Sequence, residues 1–127
     1  MKSEDIDYYA SAWRNRLKDR ENRGKELLEY ALAEAKRIAD ILKSEYRARE
    51  IYLFGSLALS LKNLRRFTFS SDIDLAVKDL PPERYFYILS RINEKSKFNV
   101  DIIDLDHCPE WLKESIIKNG VLLDEVS

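Results

Sequence analysis

The chain has 127 residues, 45% hydrophobic and 35% charged, with 22 basic and 23 acidic side chains and a net charge of −1. That length holds one core of modest size rather than two, and the apolar fraction excludes a disordered chain. The charge balance gives no global pull toward nucleic acid or membranes, the lone Cys108 excludes an internal disulfide or a Cys-based zinc site, and no stretch approaches the ~20 apolar residues of a membrane span, so a soluble cytoplasmic protein is expected.

Residues 3 to about 47 read as helix, because Leu27, Leu28, Ala31, Ala35, Ile38, Ile41 and Leu42 recur at three- and four-residue steps. Ser3, with Glu4 and Asp5 behind it, suits the helix start, since carboxylates favour the positive end of the helix dipole. Gly24 interrupts the run and leaves two arrangements open: helices over 3–22 and 25–46, or one bent helix. The first part carries an aromatic stripe of Tyr8, Tyr9, Trp13 and Leu17. Packing on the domain's own core is its leading reading, and a dimer or partner surface is the other.

Ile51 to Phe54 is a short apolar run closed by Gly55, which predicts a buried strand, with a helix from Ser56 to Leu61. Lys62 to Ser71 reads as an irregular connection. Ile73, Leu75 and Val77 alternate with Asp72, Asp74 and Ala76, the period of a second strand. Pro81-Pro82 ends it and opens a helix to about Lys95, with Tyr85, Ile88, Leu89 and Ile92 inward. Val100 to Leu105 is a third strand. Pro109 starts a helix that stops at Asn119-Gly120, and Val121 to Leu123 adds a short last strand. The order divides the chain into an N-terminal helical extension, residues 1–24, and a body, residues 25–127.

Three features carry chemistry. Asp72 and Asp74 project from one strand face while Ile73 goes to the core; two carboxylates so close need a cation or a shared proton. Mg²⁺ answers that need, being hard and oxygen-seeking. Asp101 sits in an apolar strand where a carboxylate requires a partner or an ion. If the strands are neighbours, the three carboxylates can hold two metals roughly 4 Å apart for in-line displacement at phosphorus. Asp104, an odd number of residues along, is expected on the opposite side of the strand. Gly55-Ser56 follows a strand, and such a turn offers backbone N–H groups and a hydroxyl to a phosphate. His107 and Cys108 receive no role: a lone His ahead of a helix reads as a surface or cap residue, and a single Cys as a small buried hydrophobe.

In this order the motifs resemble the minimal nucleotidyltransferases of the DNA polymerase β superfamily. The matching residues are Ile51 to Ala58, Ser71 to Val77, Val100 to Leu105 and the closing Ile116 to Leu123. The resemblance implies an α/β (α+β) nucleotidyltransferase fold, a small mixed sheet flanked by helices, here with a long N-terminal helical extension. It implies that Gly55 and Ser56 hold the triphosphate of an incoming nucleotide, ATP. It also implies that Asp72 and Asp74 bind two Mg²⁺ ions, and that Asp101 completes the second metal site and helps activate the attacking hydroxyl.

The chain departs from that pattern in two places. Leu57-Ala58-Leu59-Ser60 stands where the family commonly has two arginines and a glycine, and the connection Leu57 to Ser71 is longer than usual. That connection holds Lys62, Arg65, Arg66, Phe67 and Phe69. Either it is packed by its own Phe side chains, or its bases and aromatics bind phosphates and stack on bases, with Arg65 and Arg66 replacing the missing arginines.

Function is expected along the same lines: transfer of a nucleoside monophosphate, AMP from ATP, to a hydroxyl acceptor. With no room for an acceptor domain, the acceptor must come from another subunit or molecule. Family members often pair with an all-helical HEPN-type toxin and adenylylate its tyrosine as antitoxin, so a homo-oligomer or hetero-complex is expected. The alternative is a binding module that keeps the fold and neutralises a partner by contact. Transfer to RNA or to an aminoglycoside ranks third, since a near-neutral chain argues against a long RNA footprint.

Overall fold

The computed structural model describes residues 3–123. Helix α1 runs unbroken over Ser3–Tyr46, so of the two arrangements open at Gly24 the chain takes one continuous helix. It begins at Ser3 as expected, although Met1 and Lys2, and the side chains of residues 3–5, lie outside the described residues. Ala31, Ala35, Ile38 and Leu42 are fully buried, the face that the spacing predicts.

The aromatic stripe behaves otherwise. Tyr8 is 71% exposed and Trp13 54%, with Tyr9 and Leu17 also exposed, so packing on the domain's own core is overturned. A helix rises about 1.5 Å per residue, and 44 residues outrun the sheet that α1 packs on.

The strands are β1 (Glu50–Phe54), β2 (Ile73–Lys78), β3 (Val100–Asp104) and β4 (Val121–Leu122). They form one mixed sheet in the order β3-β2-β1-β4. β1 is antiparallel to β2 and to β4, and β2 is parallel to β3. Helix α2 (Gly55–Leu61) follows β1 directly; α3 (Tyr85–Lys95), entered through a 3₁₀ turn at Pro82–Arg84, makes the crossover from β2 to β3; α4 (Glu110–Asn119) leads into β4. The expected fold class stands.

Strand parity sorts the sheet into two faces. Ile51, Leu53, Ile73, Leu75, Val77, Val100 and Ile102 point into the main core with α1 and α3. Tyr52, Phe54, Ala76 and Ile103 point the other way, toward Leu112 and Ile116 of α4. Asp74 and Asp101 share that second face by parity. In the connection after α2, Phe67 is buried and tilts against Phe98 at 5.9 Å, while Phe69 is 85% exposed. The packing role expected of the two phenylalanines therefore falls to Phe67 alone.

Candidate active site

Antiparallel pairing of β1 and β2 sets Phe54 opposite Asp74, so the turn after β1 meets the start of β2. Parallel pairing of β2 and β3 sets Asp74 opposite Asp101. Gly55, Asp74 and Asp101 therefore lie in one row across three elements. Gly55 is required twice. Its φ is +68°, in the left-handed region, and a Cβ there would stand 2.2 Å from Oδ2 of Asp74. The Asp74 carboxylate rests on the bare Cα of the glycine.

The adjacency has an electrostatic consequence. Burial, then the charge of Asp101, then that of Asp72 push the Asp74 carboxyl up to about 6. Asp74 is half-buried, whereas Asp72 and Asp101 are exposed. Among the described residues no group of three or more His, Cys, Asp or Glu is gathered closely enough to hold a metal ion as it stands. The convergence expected of Asp72, Asp74 and Asp101 is thus adjacency rather than a closed cluster. Like charges repel, and they close up only around a cation or a shared proton. The donor set fits a hard divalent cation: carboxylate oxygens only, one of them half-buried beside two further carboxylates.

Two neighbours of the row were not singled out from sequence. Asn99 Nδ2 donates to Asp72 Oδ1 at 3.2 Å and steadies the exposed carboxylate. The Tyr85 hydroxyl donates to the Ile102 carbonyl at 2.6 Å, and burial, with Asp101 and Asp104 nearby, raises its pKa. Neither stands in a motif; Asn99 comes from the connection before β3 and Tyr85 from α3, which only the fold reveals. β3 is an edge strand, and an open depression of about 570 Å³ runs along it between α3 and α4, lined in part by Asp101, Tyr85, Phe86 and Leu112.

Asp104 is occupied elsewhere, accepting from His107 Nδ1 at 2.9 Å and from the Asp106 N–H at 3.0 Å. Ser56 lies in the first turn of α2, half-buried, and its carbonyl accepts from the Ser60 hydroxyl at 2.7 Å. Arg65 and Arg66 are both exposed and open onto depressions beside α1 whose linings include none of the three carboxylates.

A family model described as Polymerase beta, Nucleotidyltransferase matches residues 36–126. Among solved structures, one described as "Crystal structure of the toxin-antitoxin with AMP-PNP" is similar at a TM-score of 0.56 and 25% identity. The likeness covers 71% of this chain and 71% of that chain. No curated protein matches the sequence. None of the described helices is long and apolar enough to cross a membrane.

Proposed function

The chain belongs to the polymerase β nucleotidyltransferase family, and from that premise we propose that it transfers AMP from ATP, with Mg²⁺, onto a hydroxyl of a protein partner, an HEPN-type toxin. The observation that carries this is the row of Gly55, Asp74 and Asp101, with the Asp74 carboxyl raised to about 6 by burial and its acidic neighbours. The protein partner is supported by the likeness to a toxin–antitoxin structure, and the nucleotide by the AMP-PNP in that structure.

Asp72, Asp74 and Asp101 would hold the magnesium ions, which supply charge neutralisation at the phosphates when bound. Gly55 brings the backbone close to the triphosphate and Ser56 offers its hydroxyl. Asp101, exposed on the edge strand, stands where an acceptor can approach along the open depression, and accepts the proton of the attacking hydroxyl. That hydroxyl forms its bond to the α-phosphorus as the bond to the pyrophosphate oxygen breaks. Asn99 positions Asp72. The body contributes orientation and electrostatics rather than covalent chemistry.

The test is incubation of the protein with labelled ATP, Mg²⁺ and the candidate toxin. Label on the toxin that disappears with Asp72→Asn/Asp74→Asn is the expected result. A tight complex without any transfer would sink the enzymatic reading and leave a module that acts by contact.

A further inference from the structure

Two open depressions of about 300 and 440 Å³ share Arg20, Gly24, Arg66 and Phe67 in their linings, between α1 and the connection after α2. Gly24 faces open space there: a methyl group in its place would meet nothing within 4 Å beyond the adjoining helix backbone. Arg20, Arg23 and Lys25 enter the lining from α1, and Arg65 and Arg66 from the connection. Glu21 is the single carboxylate among them. Among the described residues no ion pair engages Arg20, Lys25, Arg65 or Arg66. Five cations facing one carboxylate, on a chain of net charge −1, form a local positive field that the overall balance conceals.

The groove is built from the part of α1 that precedes the family match and from the lengthened connection. The family match begins only at residue 36. Its lining spans about 16 Å along α1, from Leu17 to Leu28, long enough for a strand rather than one mononucleotide. Four of the five cations are arginines, whose planar forks match phosphate oxygens. Phe69 lines the groove 85% exposed, its ring open to solvent beside Arg66. An acidic peptide would meet the cations equally well but would leave that ring unused; a base stacks on it.

We propose that this groove binds a short single-stranded nucleic acid, with the guanidinium groups on its phosphates and Phe69 against a base. One end lies near the candidate active site: Ser60, in the lining, is bonded to Ser56 one turn up α2. Binding in the groove does not require the carboxylates.

The test is fluorescence anisotropy of a short labelled RNA of mixed sequence, titrated with the full chain at several salt concentrations. Wild-type protein is expected to bind, with log affinity falling against log salt by about 0.7 per phosphate contact. Arg65→Glu/Arg66→Glu is expected to weaken binding at least about tenfold and to flatten that slope. Phe69→Ala is expected to weaken it about fivefold or more with the slope unchanged. Arg91→Glu/Lys95→Glu, the same charge change on α3, should weaken binding less than about threefold. Asp72→Asn/Asp74→Asn should bind as wild type, which separates this site from the transfer reaction. Circular dichroism melting establishes that each variant is folded. No binding at low salt, equal loss in the α3 variant, or displacement of the RNA by polyglutamate with Phe69→Ala without effect would overturn the proposal, the last assigning the groove to an acidic protein segment.

Discussion

The acidic row at the start of β2 and the basic groove beside Gly24 hold opposite charge, and they are assembled in opposite ways. The row comes from three neighbouring strands or turns whose register is fixed by backbone pairing, Phe54 to Asp74 and Asp74 to Asp101. The groove draws Arg20 and Arg66 together from segments far apart in the chain, with no ladder between them. The row is half-buried at its centre and so pays for its charge with a shifted carboxyl; the groove is exposed, and its cations stay solvated. A net charge near zero can therefore describe a molecule with two strong local fields of opposite sign.

The largest expected effect separates the two regions outright. Asp74→Asn/Asp101→Asn should lower nucleotide transfer by a factor on the order of 10³ or more, since it removes two of the three proposed metal ligands, one of them the proposed proton acceptor. RNA affinity at the groove should stay within about twofold, because the changed side chains lie outside its lining. A parallel loss of both would mean that the regions are one site.

The two glycines sharpen the contrast next. Gly55→Ala forces a Cβ into the Asp74 carboxylate at a left-handed φ, so it should destabilise the fold by about 2 kcal/mol or more in urea unfolding and displace the carboxylate. Gly24→Ala adds its methyl to open space in mid-helix and should stabilise by up to about 1 kcal/mol. Equal effects of the two changes would contradict the geometry on which the acidic row rests.

Asn99→Ala removes the donor to Asp72 and should reduce transfer about tenfold at limiting Mg²⁺ while leaving the melting temperature nearly unchanged. Full activity at limiting Mg²⁺ would show that Asp72 needs no positioning.

The smallest effect is in pH. The folded carboxyl of Asp74 is raised from 3.8 to about 6, so its protonated form is favoured in the native state. Its contribution to stability is fully present below pH 3.8 and lost as pH rises through about 6. Compared with Asp74→Asn, the metal-free protein should lose a few degrees, about 2–5 °C, of melting temperature between pH 4 and 7. Mg²⁺ should restore part of that loss at pH 7 and none at pH 4. A difference between the two proteins that does not vary with pH would remove the electrostatic account of the row.

Much of the acidic row was legible in the sequence. Alternation in Asp72 to Val77 and in Val100 to Asp104 places each carboxylate on a face, and the buried positions follow that alternation at Ile73, Leu75, Val100 and Ile102. Gly55 was legible as a turn, although its contact with Asp74 was not. The N-terminal stripe misled: Tyr9, Trp13 and Leu17 recur at helical spacing as core residues do, yet they are exposed. Spacing shows that residues share a face, not whether anything covers it.

The sequence by itself determined the strand faces, the helical character of residues 3–46 and the face of each strand carboxylate, because parity and periodicity are properties of consecutive residues; that Gly24 leaves the helix unbroken was decided by the structure. Only the tertiary structure decided that Asn99 donates to Asp72 and Tyr85 to the carbonyl next to Asp101, that Phe67 packs while Phe69 stays out, and that Arg65 and Arg66 join Arg20 and Arg23 beside α1. Those contacts depend on where a long helix crosses the body and how an irregular connection is anchored, and a burial energy summed over many distant side chains, rather than any local pattern, sets that crossing.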